Sequence, residues 1–408
     1  MGIIIISVIY VALEIYTWRG LRNALDETKF FNNRIVVFVY YLAALALPLY
    51  ILYLVLFSAA TTIAIQVATA WFVLQTTPKF IYALFVLVGD MHHFIVRQRQ
   101  KRTQVYQIDT SEWSRRRFIS RLGLGAAALP FIAIGNGLMH GRDNIIIRRM
   151  QLTLPRLPAE FAGYKLAHFS DFHLGSYAGS TESVARAVEM IDAEAADCIV
   201  FSGDMVNNLA EEILPHKNLL RQLRARDGVY SVLGNHDYGL YQRWSSTEKR
   251  QQNASDIIRL QQEAGIRVLR NEAIQLQRQN ARIALLGVEN WGKPPFPQFG
   301  DLPATLAGVK PDTCKILISH DPDHWAAEVL PKSDVDLTLS GHTHGLQFGI
   351  EIPGWRWSPV NLRYEHWGGL YHEAGRYLFV STGLGFIAFP GRVGIPPEIA
   401  VIELQPAT

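Results

Sequence analysis

Tyr164-Lys165-Leu166-Ala167-His168-Phe169-Ser170-Asp171-Phe172-His173 is an apolar run that ends on an Asp-Phe-His triplet. Four further stretches repeat the arrangement. Cys198 to Phe201 leads to Gly203-Asp204, and Val229 to Leu233 leads to Gly234-Asn235-His236-Asp237. Lys315 to Ile318 leads to Ser319-His320-Asp321, and Leu337 to Leu339 leads to Gly341-His342-Thr343-His344-Gly345. Short apolar runs bounded by Gly, Ser, Asn and Asp read as buried strands, so each polar island sits where a strand gives way to a loop. Further strands are expected at Ile283 to Val288, Tyr377 to Val380 and Ile399 to Glu403, and helices at Ser183 to Ala195, Glu211 to Arg224 and Ala254 to Ala264. Strands alternating with helices make an α/β domain, and strand ends on such a scaffold are where ligands gather.

The islands carry carboxylates, imidazoles and a carboxamide without thiolate, a donor set that suits divalent Mn, Fe or Zn. If Asp171 and His173 continue an extended strand, alternate side chains point the same way and both grip one ion. His342 and His344 repeat that spacing. Asp204 stands alone after its strand and is placed to bridge, one oxygen to each of two ions. Two ions roughly 3.5–4 Å apart hold a hydroxide between them and clamp an in-line phosphoryl displacement.

These five motifs, in this order, resemble the calcineurin-like metallophosphoesterase family over the C-terminal two thirds of the chain, and most of all its membrane-linked bacterial branch, the transmembrane metallophosphoesterases. The run Thr382-Gly383-Leu384-Gly385, Pro390-Gly391-Arg392 and Pro397-Glu398-Ile399 adds to the resemblance. The resemblance implies a β-sandwich flanked by helices. It also implies that Asp171, His173, Asp204 and His344 bind a first metal, and Asp204, Asn235, His320 and His342 a second. His236 would face the phosphate beside Asn235 and protonate the leaving oxygen, with Asp237 orienting its ring. A carboxylate-held imidazole is a good proton carrier. Arg392 is a further candidate to neutralise a phosphate oxygen. Leu346-Gln347-Phe348 departs from the Gly that soluble relatives carry after this motif, which predicts a bulkier, more apolar floor beside the second metal.

The N-terminal part has another texture. Ile35 to Pro78 holds no charged side chain and Phe80 to Val88 adds another apolar run, too long for one soluble core helix. About four helices are expected within residues 1–140: Gly2 to Trp18, Ile35 to Phe57, Thr61 to Val96 and Phe118 to Leu138, followed by the catalytic domain over 141–408. The connection Arg19 to Arg34 has four basic residues against Asp26 and Glu27, and Arg97 to Arg121 has eight against Asp109 and Glu112. The positive-inside rule places both in the cytoplasm, so Phe118 to Leu138 runs outward. The domain then lies outside the cytoplasm of a multi-pass inner or plasma membrane protein. Ser114-Arg115-Arg116-Arg117-Phe118-Ile119 resembles a twin-arginine export signal.

A net charge of +3, with basic residues clustered beside apolar segments, argues against nucleic acid. Composition sets no oligomeric state. Cys198 and Cys314 lie in apolar strands and read as small buried residues. His168 reads as a packing residue, His92 and His93 as span ends, and His140, His216, His324, His366 and His372 as surface or loop residues. Glu14 is expected to reach the membrane interface, Gly123-Leu124-Gly125 to allow close helix packing, and Trp355, Trp357 and Trp367 to form a membrane-facing rim.

The reading that follows is a membrane-anchored dimetal phosphoesterase acting on a membrane-proximal ester, a diester first, with lipid-linked phosphates as fitting substrates beside the bilayer. A UDP-diacylglucosamine-type pyrophosphate hydrolase is the alternative, and it requires a cytoplasmic site. A non-catalytic metal-binding receptor or scaffold is the alternative of another class, and the intact His236 and Asp237 argue against it.

Overall fold

The computed structural model describes residues 2–25, 33–56, 61–103 and 110–407, and the chain divides into a helical unit up to Leu138 and a second unit from Met139. In the first, apolar sequence gives α1 (Gly2–Leu25), α2 (Arg34–Leu56), α3 (Thr62–Thr103) and α4 (Thr110–Met139). Three of these are long and apolar enough to cross a membrane, over Arg34–Leu54, Thr62–Arg99 and Arg115–Met139. The two basic connections lie partly outside the described residues. A single helix of 42 residues runs through Pro78 where the sequence predicts one long kinked span.

Glu14 does not reach an interface. It is 3% exposed, and its carboxylate accepts from Lys79 Nζ at 2.6 Å and Gln75 Nε2 at 3.1 Å, joining α1 to α3. Asp90 ties α3 to α4 through Arg116 at 2.6 Å. Charges placed among apolar helices pair with one another because lipid offers no alternative partner. Gly123 of α4 lies so close to Phe85 that any Cβ would collide with its side chain, whereas Gly125 has open space around it.

The second unit is a sandwich of two six-stranded sheets. One sheet runs β1 (Ile146–Leu154), β14 (Glu398–Pro406), β2 (Tyr164–Phe169), β3 (Cys198–Phe201), β4 (Val229–Ser231), β5 (Ile266–Val268). The other runs β12 (Gly369–Glu373), β13 (Arg376–Val380), β9 (Leu337–Ser340), β8 (Lys315–Ile318), β7 (Ala281–Gly287), β6 (Glu272–Arg278). A separate two-stranded hairpin pairs β10 (Ile350–Ile352) with β11 (Trp355–Trp357). The strands β2 through β5 are parallel, as are β7, β8, β9 and β13. Their near-continuous Val, Ile and Leu follow from burial on both faces.

Alternation along each strand sorts its side chains. Leu166, Val200, Leu285, Ile316, Leu339 and Phe379 meet between the sheets, while Phe169, Ile199 and Phe201 pack outward under Val188, Ile191 and Ile257 of helices Glu182–Ala193 and Thr247–Glu263. Trp325 and Val329 cover the outer face of the other sheet. The result is helix, sheet, sheet, helix. The helix expected over Glu211 to Arg224 is instead a 3-10 segment, Ala210–His216, and one α-turn, because Pro215 interrupts the ladder. His216 and His324, expected at the surface, are fully buried; His324 Nδ1 meets the Ser319 hydroxyl at 2.8 Å and its ring stacks on Trp291.

Candidate metal centre

All five islands leave the carboxyl ends of parallel strands, β2, β3 and β4 from one sheet and β8 and β9 from the other. Backbone bonds carry the ladders past the strand ends: Asp171 N donates to Gly203 O at 2.9 Å, and Gly341 N to His320 O at 2.9 Å. This brings three groups of ligand-type atoms together: Asp171, His173 and His344; His173, Asp204 and His236; Asp204, His320 and His342.

The convergence is not produced by strand alternation, as the spacing suggests. Asp171 (φ 54°), His173 (φ 48°), Asp204 (φ 60°), His342 (φ 73°) and His344 (φ 51°) all occupy the left-handed region. Such a φ costs a side-chain-bearing residue of the order of 1–3 kcal/mol, and such residues concentrate at functional sites. The left-handed turns fold each loop back over the strand ends, which extended chain would overshoot. Glycines supply the room. A Cβ on Gly341 would strike Ser170 Oγ and the Asp171 carboxylate, and one on Gly234 would strike the Asp204 carboxylate.

Asp204 is the centre. Its Oδ2 lies 3.2 Å from His320 Nε2 and 3.6 Å from His173 Nε2, one from each neighbouring group. His173 Nε2 and His344 Nε2 are 3.0 Å apart, and His344 Nε2 is 3.3 Å from Asp171 Oδ1. On the other side, Asn235 Oδ1 lies 3.1 Å from His320 Nε2 and 2.8 Å from His342 Nδ1.

Partners behind the rings set which nitrogen faces inward. His173 Nδ1 donates to Asn207 Oδ1 at 3.2 Å and His320 Nδ1 to Ser202 O at 2.8 Å, so both present Nε2 to Asp204. His342 instead turns Nδ1 inward, with Nε2 against Tyr364 OH at 2.8 Å and Asp321 Oδ2 at 3.5 Å. Lone pairs and carboxylate oxygens thus converge with few donors among them, a set that a divalent cation satisfies. Asp321 Oδ2 is buried without a hydrogen-bond partner of its own.

The electrostatics follow the same lines. Burial, with neighbouring His236 and His344, keeps His173 well below the usual imidazole range, and burial beside His320 takes His342 down to about 3. Both are neutral at neutral pH, each with a ring lone pair open to a cation. Burial opposes the charge on His320, yet Asp204 and Asp171 push it up to about 10. Burial would also raise Asp204, but His320 and His236 hold it well below the carboxylate range.

Two expected roles change. Asp237 does not orient the His236 ring. Its Oδ2 accepts from Gly234 N and Asp204 N, each at 2.9 Å, and its Oδ1 from Met205 N at 2.9 Å and Val206 N at 3.3 Å. It clamps two metal-site loops together, and burial next to Asp204 pushes it up to about 7. The His236 ring is held by the Asn207 carbonyl, 2.7 Å from Nδ1. Arg392 does not face an open phosphate site either. It is 2% exposed and donates from Nε and Nη2 to Gly385 O and from Nη2 to Gly383 O at 3.0 Å, with Nη2 3.4 Å from His344 Nδ1. Its guanidinium sits behind His344.

The apolar floor expected after Gly345 is also different. Leu346 is 53% exposed, while Gln347 is buried and donates to Phe389 O and Gly391 O, pinning the closing loop. Residues given no role in the sequence reading complete the site: Asn207, Tyr241, whose hydroxyl accepts from Asn235 Nδ2 at 2.8 Å, Asp321 and Tyr364. Of these only Asp321 adjoins a motif histidine with a signal of its own, the Ser-His-Asp run.

The calcineurin-like phosphoesterase model matches residues 164–346, which contain all five islands. Residues 164–346 are a calcineurin-like phosphoesterase domain. It is a phosphoric ester hydrolase of a family that binds divalent metals. A second family model, "Probable Calcineurin-like phosphoesterase, transmembrane domain", matches residues 1–142, and this phosphoesterase is a membrane protein. It is 28% identical over 282 residues to a Bos taurus transmembrane protein with metallophosphoesterase domain, covering 66% of this chain and 60% of the bovine protein. It is 29% identical over 305 residues to the Bacillus subtilis metallophosphoesterase YkuE, 72% of this chain and 98% of that one. Identity to the Escherichia coli phosphodiesterase YaeI is 25% over 296 residues, 71% of this chain and 99% of that one.

Proposed function

We propose that this phosphoesterase hydrolyses a phosphodiester at or near the bilayer with two divalent ions, its helices in residues 1–140 spanning the membrane and residues 141–408 forming the catalytic domain. Asp171, His173, Asp204 and His344 hold one ion, and Asp204, Asn235, His320 and His342 the other. The observation that carries the reading is the position of Asp204, whose carboxylate stands between the two histidine groups. When bound, the ions neutralise phosphate charge and lower the pKa of water.

The protein's own groups do the rest. His236, held at Nδ1 by Asn207 O, keeps Nε2 for the leaving-group oxygen and delivers its proton there. Asn235 and His236 contact the phosphate. Arg392 positions His344 from behind rather than touching substrate. The name of the Escherichia coli relative, a phosphodiesterase, supports a diester over a monoester, and the charge bias of the helical connections supports an extracytoplasmic domain.

Detergent-solubilised protein loaded with Mn is expected to hydrolyse bis-p-nitrophenyl phosphate faster than p-nitrophenyl phosphate. Preference for the monoester overturns the diester assignment. A reporter fused after Ile145 is expected to signal outside the cytoplasm, and a cytoplasmic signal overturns the orientation.

A further inference from the structure

We infer that the β10–β11 hairpin docks on lipid, laying Ile350, Ile352, Trp355 and Trp357 against the bilayer surface. In its register Ile350 faces Trp357 and Ile352 faces Trp355. Strand residues two apart share a face, so these four side chains form one face of the ribbon. All four are open to solvent, at 51, 53, 51 and 42% exposed. Leu362, a few residues further along, is 90% exposed. A contiguous apolar face of this kind on a catalytic domain marks an interaction surface.

The other face of the ribbon is anchored. Glu351 and Arg356 are cross-strand partners and pair at 3.0 Å, and Arg148 Nη2 reaches Glu351 at 2.6 Å. Trp367, expected in the same rim, is buried instead, beneath Arg356. The hairpin is therefore held in place while its apolar face stays uncovered within its unit.

The chain itself argues for lipid as the occupant. Arg148 is the third residue of β1, the strand that opens the second unit, and only six residues, 140–145, separate β1 from the end of α4. Six residues reach at most about 20 Å when fully extended. The element that Arg148 grips is thus joined to a strand that follows a membrane-competent helix by a short tether. Its chemistry matches as well, since tryptophan with aliphatic neighbours is the composition that settles at a membrane–water interface. The hairpin also begins three residues after Gln347, at the end of the His344–Gln347 turn, so docking would set a metal-site loop close to the lipid surface.

The test uses the full chain in phosphatidylcholine–phosphatidylglycerol nanodiscs. Cys198 and Cys314 are fully buried, so a polarity-sensitive fluorophore can be directed to Ile352→Cys, to Trp355→Cys as an independent second position, and to Asn280→Cys in the β6–β7 turn as a control. The expected result is blue-shifted emission at 352 and 355 that lipids spin-labelled near the headgroup quench, with neither effect at 280. Emission typical of water at 352 and 355 overturns the inference. So does a blue shift without lipid quenching, which would mean that a second copy or another protein covers the hairpin, and so does equal quenching at 280. None of these readouts depends on catalysis or on bound metal, so they are independent of the proposed reaction.

Discussion

His236 donates through Nδ1 to the Asn207 carbonyl at 2.7 Å, while the adjacent Asp237 spends both carboxylate oxygens on four backbone amides. The two neighbours of one motif therefore do separate jobs. In the proposed reaction the first presents a ring nitrogen to substrate, and the other holds the Asp204 and Asn235 loops in register.

His236→Ala is expected to retain metal and lose about 10²–10⁴-fold in kcat, the usual worth of a positioned proton donor. Metal analysis and steady-state kinetics on the same sample check it. Loss of metal in step with activity would make His236 a ligand instead.

Asp237→Asn puts an NH₂ group against main-chain donors. Each buried amide left without an acceptor costs about 1–3 kcal/mol, so a clear drop in melting temperature is expected together with weakened metal binding. A variant of wild-type stability with only a shifted pH–rate profile would restore Asp237 to a role on the His236 ring.

Arg392→Met should lower stability and the occupancy of the metal assigned to His344, because the carbonyls of Gly383 and Gly385 lose their donors. The contrary result is an intact, fully loaded enzyme with raised KM alone, which would place the guanidinium on substrate.

Proton release is the signature expected of metal loading. With no ion bound, His320 is held protonated to about 10 beside Asp204, above its ordinary 6.5. In the metal-free fold this pair contributes its full stability below about 6.5, and the contribution fades as pH rises through about 10. A metal needs the lone pair that this proton covers, so metal affinity should rise about tenfold per pH unit through neutrality. Calorimetric titration in buffers of different ionisation enthalpy measures the released proton, and heats independent of the buffer would contradict the assignment.

In the helical unit, Lys79→Ala leaves Glu14 buried without its cation and should destabilise by about 3–5 kcal/mol, whereas replacing both by Leu should cost far less. Thermal unfolding in detergent of the two singles and the double tests this, and additive losses would show that the pair does not act as a unit.

The islands were legible because chemistry-bearing residues follow apolar runs whose length and composition mark strands. Tyr164–Phe169, Cys198–Phe201 and Lys315–Ile318 occur as read. What escaped the sequence depends on chain closure. β1 pairs with β14 across some 250 residues, from Ile146 with Glu398 onward, and nothing local announces that register. Asn207 holds His236 through a backbone carbonyl, which any residue type could supply. The burial of Arg392 behind His344 follows from how the last loop packs, and a charge in a Gly- and Pro-rich segment looks exposed on paper. The left-handed turns at Asp171 and His173 were hidden for the opposite reason, since the Asp-x-His spacing there reads as a continuing strand.

The central claim is that Asp204 joins two ions in one centre, and metal content measured by mass spectrometry on purified wild type and Asp204→Asn tests it most directly. The account predicts two divalent ions per chain in the wild type, and in Asp204→Asn the loss of both along with bis-p-nitrophenyl phosphate hydrolysis. Full occupancy in Asp204→Asn, or a single ion per chain in the fully active wild type, would contradict it.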